Sequence, residues 1–204
     1  MAARAGLGRT AVFVCDIQET FRPLVANWDS VVSVAHTMLG AASALSVPVV
    51  VTEQYPKAFG HTAAELDLPA PGAAADLDDG TLVRSFEKTL FSMVTPEVEA
   101  LLADDLPEVK NVVLMGLEGH ICVQQTALDL VDRGYTVHAL ADGIGSQRLY
   151  DRNVALDRMR AAGVVVTTSQ SLIYELIRDA KSPAFKACLN VVKNPLHPDA
   201  DPLL

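Results

Sequence analysis

An α/β fold built on a parallel sheet is what three observations predict. Short runs of Val and Leu lack the polar alternation of half-solvated strands, helical patterns separate successive runs, and stop signals close those patterns. The apolar runs are Thr10 to Asp16, Pro48 to Thr52, Leu82 to Phe86, Asn111 to Leu117, Thr136 to Ala141 and Val164 to Thr168. The helical stretches are Asp29 to Leu45, with Asp29 or Ser30 as N-cap, Thr95 to Ala103, Gly119 to Arg133, Ser146 to Ala162 and Ser169 to Asp179. Gly134 and Gly163 follow two of them, where a left-handed C-terminal residue is needed. A late helical pattern covers Pro183 to Lys193. Alternation of this kind implies right-handed crossovers and a doubly wound sandwich whose ligands collect at the carboxyl ends of the strands.

Two stretches interrupt the rhythm. Pro69 to Asp79 is rich in Pro, Ala, Gly and Asp and reads as a surface excursion between the second and third strands. Beyond Lys193, Pro195, Pro198 and Pro202 rule out a regular helix, so that tail either dangles or crosses to a neighbouring subunit. With 204 residues, 50% hydrophobic and 20% charged, the chain is expected to form one domain over 1–204, its core at about 9–179 and a C-terminal helix and tail at 180–204.

Charge and cysteine usage narrow the function classes. A formal net charge of -9 is the wrong sign for a surface that neutralises phosphates, so nucleic acid is not the expected partner. Cys15, Cys122 and Cys188 are odd in number and widely spaced, unlike a disulfide framework or a metal knuckle, which points to a reducing compartment. No apolar run reaches the ~20 residues that span a bilayer, and the first strand leaves no room for a signal sequence; the expectation is cytoplasmic, with no membrane partner. A mean hydropathy of +0.25 suits a chain that buries apolar surface between subunits, so a homo-oligomer is expected.

Strand ends are the place to look for chemistry, and three residues stand there. Cys122 lies where the fourth strand hands over, through Glu118, Gly119 and His120, to a helix. A thiol in a first helical turn meets unpaired N–H groups and the positive end of the macrodipole, both favouring thiolate; a buried Cys is also a common small core residue. Asp16 closes the first strand, as catalytic carboxylates and ordinary turn-formers both do. Lys88 follows the third strand among Phe86, Leu90 and Phe91, either snorkelling to solvent or held inside by a charge partner. The three follow the first, third and fourth strands, and in the strand order 3-2-1-4-5-6 the first and fourth are central neighbours at the switch point, so the combination is more specific than its parts. Cys15, one residue before Asp16, is expected on the opposite sheet face as a packing residue, and Cys188 in the core or an interface. Asp142, Ser146 and Arg148 follow the fifth strand, with capping of the helix from Ser146 as their simplest role.

Together these residues resemble the isochorismatase-like, or cysteine hydrolase, superfamily over about Arg9 to Asp179. The resemblance rests on Asp16-Ile17-Gln18 with Phe21, Glu87-Lys88-Thr89 with Phe91-Ser92, Gly116 to Cys122, then Thr126, Asp129, Gly134, Asp142 and Ser146. Thr52-Glu53-Gln54-Tyr55-Pro56 makes it most similar to the isochorismatase domain-containing subgroup. The resemblance implies a three-layer sandwich on a six-stranded, mostly parallel sheet. It also implies that Cys122 attacks a carboxamide carbon, Asp16 takes the thiol proton and passes it to the leaving nitrogen, and Lys88 stabilises both charges. A cis peptide bond is implied at Leu117–Glu118, with the backbone N–H groups of Glu118 and Cys122 as an oxyanion hole.

Departures from the superfamily bear on substrate. Relatives that hydrolyse the vinyl ether of isochorismate have a small residue at the nucleophile position; Cys122 argues instead for an amide or imide. Metal-holding relatives carry Asp-x-His soon after the second strand, where this chain has Glu53-Gln54-Tyr55-Pro56 and an isolated His61, so no metal and no cofactor is expected. The small-molecule substrate then falls to Phe21, Gln54, Tyr55, His120 and Ile121, each of which also has an ordinary packing or loop-ordering role. A rival class is a binding or regulatory scaffold that keeps the fold without turnover.

Overall fold

The structure is a computed structural model that describes residues 4–76 and 80–198. Seven strands form one sheet: β1 (Thr10–Cys15), β2 (Val49–Gln54), β3 (Ala74–Asp76), β4 (Leu82–Lys88), β5 (Asn111–Gly116), β6 (Thr136–Ile144) and β7 (Val165–Thr167). Their order is β3-β4-β2-β1-β5-β6-β7. The six strands other than β3 pair in parallel, and counted among themselves they run 3-2-1-4-5-6, as the sequence predicts. The helices are α1 (Trp28–Leu45), α2 (Pro56–Phe59), α3 (Pro96–Asp104), α4 (Gln124–Asp132), α5 (Leu149–Ala161), α6 (Ser169–Ile177) and α7 (Phe185–Lys193).

Period-2 side-chain alternation divides the strands between two cores. Val12, Val14, Val49, Val51, Val113 and Met115 pack with residues of α1 and α6 and with Cys188 of α7. Ala11, Phe13, Cys15, Val50, Val112 and Leu114 pack on the other face with residues of α3, α4 and α5. Both faces of the central strands are therefore dry, which is why their sequences carry no polar alternation.

The structure corrects several sequence expectations. The excursion Pro69 to Asp79 contains β3, whose Ala74–Asp76 pairs antiparallel with Leu82–Arg84 of β4; part of it, 77–79, lies outside the described residues. An Ala-Ala-Asp segment has no β-branched residue to announce a strand, and pairing with the edge of β4 supplies the backbone bonds instead. α1 begins at Trp28 rather than Asp29, and Asn27 spends its amide on the Ile144 carbonyl at 3.1 Å. α5 begins at Leu149, so Ser146 caps nothing there. As far as residue 198 the tail lies back on α1, where Ser33 Oγ donates to the His197 carbonyl at 3.4 Å; Pro202 is outside the described residues.

Candidate active site

Asp16, Lys88 and Cys122 come together at the carboxyl ends of β1, β4 and β5. Asp16 directly follows β1 with φ +49, a left-handed conformation. Strict alternation would send its side chain to the α1 face, away from Cys15; the left-handed residue breaks that alternation. Its carboxylate instead meets groups of the Cys15 face. Oδ1 accepts from Thr52 Oγ1 at 2.7 Å and Oδ2 accepts from Lys88 Nζ at 2.7 Å. Cys122, close by, also favours the charged form of this carboxylate.

Lys88 does not snorkel. Its side chain is fully buried and that of Asp16 is 2% exposed. Besides Asp16, the ammonium donates to Gln54 Oε1 at 2.5 Å and to the carbonyls of Leu90 at 3.1 Å and Phe91 at 2.9 Å. Every N–H of the ammonium thus has an acceptor, which is the condition for keeping such a charge out of water. Burial pushes the Asp16 carboxyl above its ordinary value, with Lys88 and Thr52 pulling it part of the way back. Burial works against the Lys88 ammonium too, but Cys15, Asp16 and Cys122 outweigh it and hold the lysine above its ordinary value. A carboxylate that holds a proton more readily than usual, beside a permanently charged lysine, suits a proton shuttle.

Cys122 sits in a wide π turn, Gly119–Val123, that leads into α4. Two backbone devices set this turn. Gly116 has φ +118, and a Cβ there would collide with the Cys15 carbonyl. Thr126 Oγ1 donates to the Cys122 carbonyl at 2.7 Å and accepts from the Met93 N–H at 2.8 Å, tying the Cys122 turn to the segment after β4. The cysteine is 6% exposed, and its sulfur lies 4.0 Å from Gln54 Oε1.

No cis peptide bond occurs among the described residues, so the Leu117–Glu118 bond expected as cis is trans. Gly116 already supplies the change of direction, and the Leu117 N–H continues β-type bonding to the Cys15 carbonyl at 2.8 Å; nothing here forces the costlier isomer. Glu118 is extended, with φ -78 and ψ 137.

The substrate-binding candidates separate. Gln54 is central: its Oε1 lies between Lys88 and Cys122, its Nε2 donates to the Thr89 carbonyl at 2.9 Å, and its main chain is clamped by the Gln18 side chain. Tyr55 is half-exposed at φ +37, its N–H donating to the Lys88 carbonyl at 2.8 Å. Ile121 packs in the same core cluster as Cys122. His120 Nδ1 lies 3.1 Å from Ser146 Oγ and 3.4 Å from Glu118 Oε2, so it joins the Cys122 turn to the loop after β6. Phe21 stands apart, its ring 5.3 Å from that of Phe59 and packed on the α1-side core.

Sequence reasoning missed Thr52 and Gln18 and misplaced Cys15. Thr52 has a readable signal, because it is two residues before Gln54 on β2 and shares its face. Cys15 is on the Cys122 side of the sheet, in the same core cluster, with its sulfur 3.6 Å from Asp16 Oδ2. Asp142 serves α6, accepting from the Ser169 N–H at 2.9 Å and hydroxyl at 2.6 Å. Glu53 and His61, where metal-holding relatives have ligands, bond each other at 3.0 Å, and Glu53 also accepts from Thr62. Among the described residues no three His, Cys, Asp or Glu side chains are grouped to share an ion, and no helix is long and apolar enough to cross a membrane.

Known proteins share this arrangement of chain. The isochorismatase domain model matches residues 10–171. Isochorismatase domain-containing protein 1 of Salmo salar is 47% identical over 90% of this chain, which spans 61% of that protein's length. The secreted isochorismatase effector Isc1 of Phytophthora sojae is 42% identical, covering 92% of this chain and 86% of its own. Among solved structures, the MAR1 ribonuclease from Caenorhabditis elegans superposes with a TM-score of 0.84 at 36% identity, over 97% of this chain and 96% of that one. With a parallel sheet of the order 3-2-1-4-5-6 and a family match over most of its length, the chain belongs to the isochorismatase family.

Proposed function

We propose that this chain hydrolyses a carbon–nitrogen bond of a small amide or imide through a thioester on Cys122, without a metal. The observation that carries the reading is the buried Asp16–Lys88 pair at 2.7 Å, with Gln54 Oε1 held 2.5 Å from the same ammonium and 4.0 Å from the Cys122 sulfur. Asp16 takes the thiol proton as sulfur attacks the carbonyl carbon. The resulting oxyanion faces the backbone N–H groups of Glu118 and Cys122. Collapse expels the nitrogen with the proton from Asp16, and water, deprotonated by Asp16, then releases the acid and restores the thiol. Lys88 stabilises whichever negative charge stands beside it. Gln54, Tyr55, His120 and Ile121 line the approach for substrate.

A panel of small amides and imides, followed by intact-mass spectrometry for an acylated Cys122 and by ammonia release, tests the reading. Turnover lost in Cys122→Ala and Asp16→Asn supports it, and an active Cys122→Ala protein refutes it. The ribonuclease name borne by a structure 36% identical favours one further assay. Cleavage of RNA by the native chain, lost in Lys88→Met, would move the substrate class to phosphodiesters, against which the net charge of -9 argues. The reading places the chain in a reducing compartment as a homo-oligomer; it is supported by three free cysteines and by the exposed Leu90, Phe91, Tyr150 and Val154.

A further inference from the structure

Cys15 has no part in the hydrolytic scheme, yet it is a second thiol inside the site. Its sulfur is 3.6 Å from Asp16 Oδ2, the Cys122 sulfur is 4.0 Å from Gln54 Oε1, and the Lys88 ammonium holds both of those oxygens, at 2.7 and 2.5 Å. Both belong to the core on the α3, α4 and α5 side of the sheet, whereas Cys188 is buried on the opposite face with α1 and α7. A thiol that served only to fill space there would have no need to converge on the base and the nucleophile.

We propose that Cys15 and Cys122 form an oxidative modification site, in which a peroxide converts the pair to an intramolecular disulfide that shuts the active site reversibly. The Cys122 thiolate attacks one oxygen of hydrogen peroxide and the O–O bond breaks. Hydroxide leaves and is protonated to water, and the sulfur becomes a sulfenic acid, oxidised by two electrons as the peroxide is reduced. The Cys15 sulfur then attacks the sulfenyl sulfur. The S–S bond forms, the S–O bond breaks, Asp16 accepts the Cys15 proton, and the departing hydroxide leaves as a second water. Both thiols flank acceptors of one ammonium on the same face of the sheet, and side-chain rotation with some backbone movement would bring them to the bond of about 2.05 Å that a disulfide requires.

The order of events follows from the environments. Burial, then the nearness of Cys122, pushes the Cys15 thiol well above its ordinary value, so it waits as a thiol. Cys122 is the sulfur on the substrate side, 6% exposed against a fully buried Cys15, and is met first by a peroxide small enough to follow the substrate's path. A resolving thiol beside it diverts the sulfenic acid from the irreversible sulfinic and sulfonic stages.

The test uses the full native chain, reduced, freed of reductant, treated with graded hydrogen peroxide and digested without reduction for peptide mass spectrometry. The expected product is a Cys15–Cys122 linked peptide two hydrogens lighter than the free pair, with Cys188 free and the link removed by dithiothreitol. In Cys15→Ala the expected product is Cys122 sulfinic or sulfonic acid that dithiothreitol does not reverse, while Cys188→Ala behaves as the native chain. Native protein whose Cys122 proceeds to sulfinic acid with no link to Cys15, or links only after denaturation, overturns the proposal. Because the readout is mass and not turnover, it stands or falls separately from the hydrolase reading.

Discussion

Removing either member of the Asp16–Lys88 pair should damage the fold more than removing both. The side chains are 2% and 0% exposed and meet at 2.7 Å, so deleting one leaves a full charge in a dry site. Loss of one partner of such a pair costs about 3–5 kcal/mol. At roughly 2–4 °C per kcal/mol for a chain of this size, Asp16→Asn and Lys88→Met should each melt about 6–20 °C below the native protein. The double variant removes both charges, so it should recover much of that loss. Recovery will be incomplete, because Gln54 Oε1 and the Leu90 and Phe91 carbonyls also lose their donor, at ~1–3 kcal/mol for a buried group left unmade. Denaturant unfolding of the four proteins gives the coupling energy directly. Additive effects, or single variants within about 1 kcal/mol of native, would refute the claim that the pair is a mutually dependent buried unit.

Further consequences follow from the same contacts. Burial raises Asp16 above 3.8, so the acid limb of kcat/KM for whichever amide is turned over should lie above that value. Thr52→Val deletes a hydrogen bond that favours the carboxylate and should move that limb further toward neutral; an unmoved or lowered limb would contradict the assignment. Lys88 is raised above 10.5, so its contribution to stability is complete below 10.5 and fades only as pH passes its folded value. Unfolding free energy measured from pH 9 to 11.5 should therefore fall later in the native chain than a free lysine would dictate, and loss already complete by pH 10 would be the wrong sign. Gly116→Ala forces a Cβ into the Cys15 carbonyl at φ +118, and should cost about 2–3 kcal/mol or more, read as a drop in melting temperature of at least ~4 °C.

The architecture was legible because the central strands are dry on both faces and say so in their composition. Val12 to Val14, Val49 to Val51 and Val112 to Leu114 leave only a parallel sheet between helical layers as their setting. The three principal site residues were legible as strand-end residues for the same reason. What escaped notice depends on torsions and pairings that composition does not encode. The left-handed Asp16 turns its carboxylate to the face shared by Thr52 and Cys15, and Cys15 therefore enters the site instead of facing away from it. The Ala74–Asp76 strand exists only because β4 offers an open edge. Ser146, read as a helix cap, reaches His120 instead, since α5 starts three residues later at Leu149.

The central claim is that Asp16 and Lys88 make Cys122 a nucleophile, and alkylation kinetics test it without a substrate. Native, Asp16→Asn and Lys88→Met proteins, each held well below its melting temperature, would be treated with iodoacetamide at neutral pH and each cysteine followed by peptide mass spectrometry. The account predicts that Cys122 alone is modified in the native fold, faster than a free small thiol under the same conditions, and that either substitution slows it. Modification of Cys122 only as the chain unfolds, in step with Cys15 and Cys188, would contradict the account.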